Sequence, residues 1–268
     1  MKNPVFILGV GAQKAGTSWL YETFANQAFA NMGFRKEYHI WNATEDELGQ
    51  AFNRPIRKPD NSDQALRRLM RSNHDIYASY FRGLIEGQIT LTGDISPSYS
   101  YLSSRSLQNI KNLLEGYGFN VKVIFLLRDP VERIWSAQRM IIRNNKRKQT
   151  DVETLIQKLP KFSRLNQNMI RSDYISTINN IEEIFEQNQI FYAIYENLFT
   201  KESISKLEYF IEHKINDVQF NTKVNESPKI ALPENIFKRT INLYKEQYKF
   251  CNKKFPETNV LWHNINID

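Results

Sequence analysis

The 268-residue sequence contains one cysteine, Cys251, so no internal disulfide can form and the chain suits a reducing compartment. No apolar run approaches the roughly 20 residues that a bilayer-crossing helix needs. Residues 1–10 lead directly into a strand-like segment, and neither an anchor nor a cleavable leader is expected. No internal repeat is evident, and no cluster of histidine, cysteine or acidic residues has metal-site spacing, so no metal is expected. The net charge of +7 calls for an anionic partner or a well-solvated surface, yet no recognised nucleic-acid motif accompanies it.

What the chain does carry is Val5-Phe6-Ile7-Leu8 followed by Gly9-Val10-Gly11-Ala12-Gln13-Lys14-Ala15-Gly16-Thr17-Ser18-Trp19. A nucleotide-triphosphate loop reads G-x-x-x-x-G-K-[ST]. Gly11 and Gly16 keep the glycine spacing, but Thr17 stands where the lysine belongs and the lysine lies inside the loop, at Lys14. Backbone N–H groups of such a turn, with the positive end of the following helix, still form an anion site.

A second segment, Val121 to Leu127, is a short β-branched apolar run that reads as a buried strand and ends in Arg128-Asp129-Pro130. Pro130 suits the first turn of a helix that carries Glu132, Arg133, Trp135 and Ser136. Arg128 at the strand end and Ser136 two turns into the helix suit one further phosphate. Two separated phosphate sites, one with a displaced lysine, resemble the sulfotransferases that use 3′-phosphoadenosine 5′-phosphosulfate (PAPS). The resemblance implies that Lys14, Gly16, Thr17 and Ser18 hold the 5′-phosphate and that Arg128 and Ser136 hold the 3′-phosphate. Gly11, Ala12, Gln13, Ala15 and Trp19 are the remaining cofactor-binding candidates of the loop.

The resemblance favours the carbohydrate, heparan sulfate-like branch. Lys36-Glu37-Tyr38-His39 is similar to that branch's Lys-Glu-x-His, Gly93 to Tyr99 to its Glu-Lys-[ST]-Pro-x-Tyr, and Tyr195-Glu196-Asn197-Leu198 to its Tyr-Glu-[DN]-Leu. Asn252 to Phe255 and Trp262-His263 also match in order. Three departures argue against a true heparan acceptor. Ile95 replaces a lysine, Asn42 replaces an acid, and the late Lys-Gly-Arg loop is reduced to Asn225-Glu226-Ser227-Pro228-Lys229, of which Lys229 is kept as a cofactor contact. Animal relatives in the Golgi carry an anchor and stem that this sequence lacks, so a cytoplasmic, microbial protein is expected.

Strands are expected at 5–9, 89–93, 121–127 and 190–195, and helices at 16–27, 63–71, 104–115, from 130, at 152–159 ended by Pro160, at 174–186, 201–213 and 233–250. Residues 53–63 read as an exposed excursion. The alternation implies one α/β domain over residues 1–268, with a mostly parallel central sheet flanked by helices and a P-loop-like nucleotide core. Ligands of such sheets bind at the carboxyl ends of the strands.

By analogy with phosphoryl transfer, sulfuryl transfer asks for position, a base and stabilisation of the leaving group. Lys14 is assigned to the leaving phosphate oxygen, Glu37 to the acceptor proton, and His39 to orienting the acceptor or Glu37 or to sharing that proton. Arg171 and Ser172 face the nucleotide by position. Asp94, Ser96, Tyr99 and Tyr174 read as core or turn residues. Trp19, Trp41 and Trp135 read as packing residues, with Trp41 a candidate for stacking on a sugar. Arg143 to Lys148 reads as a solvated helix end.

The expected reaction moves a sulfuryl group from PAPS to a hydroxyl or amine of a glycan or small metabolite, leaving the desulfated product PAP. Two other classes stay open. A metal-dependent nucleotide kinase requires a lysine at 17 and an aspartate closing the second strand, both of which the sequence lacks. A basic nucleic-acid binder has no motif to support it.

Overall fold

In the computed structural model, which describes residues 2–44, 62–144, 151–218, 220 and 230–263, four parallel strands form the centre. They are β1 (Val5–Gly11), β2 (Leu91–Ile95), β3 (Asn120–Leu127) and β4 (Ile190–Ile194), in the order β2-β1-β3-β4. Every residue of β1 and β2 is buried, as is all of β3 after Asn120; β1 and most of β3 accordingly read as apolar runs, while Thr92, Asp94 and Lys122 are buried polar exceptions. Leu8 pairs with Asp94 on one side and Val123 on the other, and a register shift between Gly9 and Gly11 brings Gly11 opposite Phe125. Because β2 and β3 flank β1, the chain leaves β1 and β3 at the switch point of the sheet, where a crevice opens.

Helices cover the sheet. α1 (Thr17–Ala25) follows β1 and buries Trp19, Leu20, Thr23 and Phe24, a helical spacing. α2 (Ser62–Ser72) and α3 (His74–Gly83) meet at Asn73, whose side chain caps α3 by accepting from Asp75 N. α4 (Ser104–Gly116) precedes β3, and α5 (Pro130–Asn144) begins on the proline that follows it. α6 (Val152–Ser163), α7 (Asn166–Ile170) and α8 (Tyr174–Ile184) lead into β4, with Asp151 and Asp173 capping α6 and α8. α9 (Lys201–Ile211), α10 (Glu234–Ile241), α11 (Lys245–Lys254) and α12 (Thr258–Leu261) complete the order. No helix among the described residues is long and apolar enough to cross a membrane.

Several elements differ from the sequence expectation. β2 begins at Leu91 rather than 89, since Ile89 N bonds Glu86 O in a turn and Thr90 N bonds Phe29 O. α6 runs through Pro160 to Ser163. A proline removes only one N–H from the ladder, and the buried stripe Leu155, Leu159 and Ser163 holds the last turn in place. The expected helix 233–250 is split into α10 and α11 by a 3-10 turn at Asn242–Tyr244, where Tyr244 is drawn inward to donate to Ser163 O at 2.8 Å. α3 has no counterpart in the expectation, although it buries Tyr77, Ala78 and Phe81. The 53–63 excursion except its last two residues, most of the basic run Arg143 to Lys148, and the loop 225–229 with Lys229 lie outside the described residues.

Candidate active site

The carboxyl ends of β1 and β3 open into a cavity of about 1030 Å³. The loop after β1 forms part of its wall. Ala12 N donates to Leu126 O at 2.7 Å and Ala15 N to Ala12 O at 3.2 Å, so these two N–H groups serve the loop itself. Gln13, Lys14, Gly16, Thr17, Ser18 and Trp19 line the cavity; Gly11, Ala12 and Ala15, expected as cofactor contacts, lie behind them and shape the turn. Gly16 caps α1 with φ +96, and a Cβ there would meet Leu198 Cδ2 at 2.5 Å, so glycine is required both by conformation and by space. Gly16 supplies no side-chain cap to the start of α1, the end of a helix that favours an anion.

Arg128 joins this loop to the end of β3. Its Nη1 donates to Lys14 O at 3.0 Å, its guanidinium lies 4.3 Å from the Tyr195 ring centre, and Nη2 approaches Glu132 Oε2 at 3.6 Å. Ser136 lines the same wall, and Arg139, three residues further along the helix, lies over Trp135 and also faces the cavity. Arg171 reaches the cavity from the turn after α7, with Nη1 3.3 Å from Gln13 Oε1. Ser172 does not face it: the side chain is fully buried and accepts from Arg133.

The opposite wall is the segment after α1. Lys36 Nζ lies 3.0 Å from Ser18 Oγ, 3.4 Å from Thr17 Oγ1 and 2.8 Å from Glu37 Oε1, so it bridges the start of α1 and the carboxylate. Glu37 Oε2 lies 3.1 Å from His39 Nε2, and His39 Nδ1 lies 2.7 Å from Ser98 Oγ, which in turn donates to Asn42 Oδ1 at 2.8 Å. Burial pushes the Glu37 carboxyl up, but the His39 hydrogen bond and the charge and hydrogen bond of Lys36 outweigh it and hold the group at about 2.

The backbone of this segment is clamped from two directions. Buried Asp94 accepts from Ser96 Oγ at 2.7 Å and Tyr99 OH at 2.8 Å; Ser96 Oγ then accepts from His39 N, and Tyr99 OH from Ile40 N. From the other side Arg67 donates to Tyr38 O and Arg71 to His39 O. The Gly93 to Tyr99 stretch thus scaffolds Glu37 and His39, and within it Ser98 and Pro97 line the cavity. Ile95 is fully buried. Trp41 is also buried, its ring 4.1 Å from His74 and 5.4 Å from Tyr77, so it packs and cannot stack on a sugar. Trp135 packs too, donating to Ile230 O at 2.9 Å.

A third group closes the far end. Asp129 is buried and accepts from Tyr248 OH at 2.7 Å and lies 3.0 Å from His263 Nδ1; burial raises its pKa, but these bonds hold it below the usual range. Glu196 accepts from Trp262 Nε1 at 2.9 Å and is pushed by burial up to about 7. Glu196, His263, Ser98 and Arg139 were not singled out as site residues from the sequence. For Arg139 the signal was its place three residues beyond Ser136 on one helix face; Glu196, His263 and Ser98 lie inside the segments matched to the resembling family, and the fold is what turns them to the cavity.

The glycine-bounded loop after β1, Arg128 after β3 and the Glu37–His39 pair thus face one cavity at the carboxyl ends of a parallel sheet with a P-loop-like core. The sulfotransferase domain family matches residues 3–254; the chain belongs to that family, and the reaction it supports is sulfuryl transfer. A sulfotransferase from Alicyclobacillus acidocaldarius is similar in structure, with TM-score 0.57, 15% identity and coverage of 97% of this chain and 96% of that one. The sulfotransferase domain of a Synechococcus PCC 7002 olefin synthase aligns with TM-score 0.49, 18% identity and 92% and 96% coverage. A mouse sulfotransferase in complex with PAP aligns with TM-score 0.49, 13% identity and 95% and 89% coverage. No curated protein sequence matches the chain.

Proposed function

We propose that the chain, as one domain over residues 1–268, transfers a sulfuryl group from PAPS to a hydroxyl or amine of a glycan or small-metabolite acceptor, in a microbial cytoplasm. The observation that carries this reading is the meeting, in one cavity, of a Lys14-bearing helix start, an Arg128 and Ser136 wall, and the Glu37–His39 pair. The donor set fits a ligand with two phosphates: hydroxyls, a helix N-terminus and a lysine on one side, a guanidinium and a hydroxyl on the other.

Lys14, Gly16, Thr17 and Ser18 would hold the 5′-phosphate and Arg128 and Ser136 the 3′-phosphate, with Gln13 and Trp19 beside them. PAPS supplies, when bound, a sulfuryl group already activated on a phosphate. Lys14 neutralises charge on that phosphate's leaving oxygen, and Lys36 holds Glu37 ionised. Glu37 and His39, sharing one hydrogen bond, take the acceptor proton as a pair. The Lys36 to His39 pattern supports the carbohydrate branch, while Ile95 and Asn42 support an acceptor other than heparan.

Calorimetric titration of PAP and AMP, with and without magnesium, tests the reading. Tight binding of PAP without magnesium, with AMP much weaker, is the expected result. A strict magnesium requirement would favour the kinase reading, which Thr17 and Arg128 already oppose.

A further inference from the structure

Arg133, on α5 one turn beyond Asp129, is fully buried. No carboxylate pairs with it among the described residues. Its Nε and Nη2 donate to Ser172 Oγ at 3.0 and 2.6 Å, Nη2 reaches Asn168 O at 3.3 Å, and Nη1 has no hydrogen-bond partner. These acceptors are neutral, and Ser172 needs nothing from the arginine, because its hydroxyl donates on to Asn168 O at 3.0 Å.

The charged groups that act on Arg133 are themselves cations, Arg128 and Arg171, both of which line the cavity; the phenols Tyr174 and Tyr244 are its other electrostatic neighbours. Burial, and these like charges, lower its pKa, but a guanidinium stays protonated in a protein. An uncompensated buried charge is among the costliest features a fold can carry, and a neutral side chain of the same volume would usually serve stability better. Arg128 and Arg171 at the cavity wall are partly compensated, by Glu132 Oε2 at 3.6 Å from Arg128 and by the charge of Glu37 on Arg171, whereas Arg133 behind them has no carboxylate partner among the described residues, so an anion in the cavity would supply compensation that it otherwise lacks.

We propose that Arg133 is a buried counter-charge for the anionic ligand: it does not touch the ligand, and it raises the affinity of the Arg128–Ser136 wall for phosphate by its field through a region from which water is excluded. This rests on the proposed use of a bisphosphate nucleotide.

The test compares R133Q, R133M and R133K by PAP titration at several salt concentrations and by melting without ligand. The neutral variants should melt at or above the wild-type temperature without ligand, bind PAP about tenfold more weakly or worse, and show a shallower salt dependence. R133K, which keeps the charge but not the fork of hydrogen bonds, should bind PAP nearly as wild type does. Wild-type affinity in R133Q, or R133K as weak as R133Q, would overturn the proposal, the second by making the contacts to Ser172 the operative feature.

A second measurement needs no variant: inorganic phosphate, at constant ionic strength against chloride, should raise the melting temperature of the wild-type protein, and no rise would count against the idea. If phosphate stabilises but PAP does not bind, the counter-charge stands and the nucleotide assignment falls.

Discussion

His39 Nε2 lies 3.1 Å from Glu37 Oε2, and the carboxylate's other oxygen lies 2.8 Å from Lys36 Nζ. Each carboxylate oxygen therefore has a cationic or potentially cationic partner. The consequence is a carboxylate held at about 2, ionised at every working pH but intrinsically a weak base, so proton acceptance falls to the pair rather than to Glu37 alone.

Glu37→Gln is expected to lower turnover by about a hundredfold or more while leaving PAP affinity nearly unchanged. His39→Asn is the comparison. An intact rate in the glutamine variant with a collapsed rate in the asparagine variant would move the whole role to His39. A separate readout is acid stability. The folded-state pKa of Glu37 is depressed, so its stabilisation is present above about pH 4.5 and lost as pH falls towards 2, an effect of about 1 kcal/mol once solvent screening is allowed for. Wild type should lose that increment in melts across this range and Glu37→Gln should not.

Lys14→Ala should abolish turnover and leave the protein folded. Lys14 lines the cavity, and its backbone carbonyl accepts from Arg128 Nη1, a bond that the alanine variant keeps. Near-normal sulfation of any identified acceptor by this variant would remove the leaving-group assignment.

PAP should raise the melting temperature far more than AMP, since only PAP carries a second phosphate for the proposed Arg128–Ser136 site. Arg128→Ala should shrink that difference. It should also loosen the loop, because the same guanidinium supports Lys14 O and lies on Tyr195. Equal shifts from the two nucleotides in wild type would refute the placement of a 3′-phosphate at Arg128 and Ser136.

Glu196→Gln tests the far end of the cavity. Burial raises the folded-state pKa of Glu196 to about 7, so the protonated form is the stable one, and stability is full below about pH 4.5 and falls as pH rises through 7. The glutamine keeps an acceptor for Trp262 Nε1 without the charge. It should match wild type at pH 4.5 and exceed it by about 1–2 kcal/mol at pH 8, after discounting for partial solvation. No gain at pH 8 in chemical denaturation would show that Glu196 ionises freely.

The glycine loop, the strand end at Arg128 and the positions of the strands along the chain were legible because each is local: a β-branched run, a glycine spacing and a proline after the strand are fixed by backbone preferences within a few residues. The split of the last helix was not legible, since Tyr244 bends the chain to reach Ser163 O, a partner 81 residues away. Nor was the continuation of α6 past Pro160, where burial of one helix face outweighed a local stop signal.

The sequence alone determined the α/β alternation, the glycine-spaced loop, the Arg128-Asp129-Pro130 segment and their place at the strand ends, because these rest on periodicity and turn chemistry. Tertiary structure decided which residues share the cavity. It brought Ser98 under His39, Lys36 onto Ser18 and Glu37, and Arg171 beside Gln13, and it turned Ser172 inward onto Arg133 and Trp41 into the core. Such choices depend on which side of a strand or helix meets its neighbour after packing. A side chain two positions from a motif residue can face either water or the core, and only the assembled sheet and its covering helices settle which.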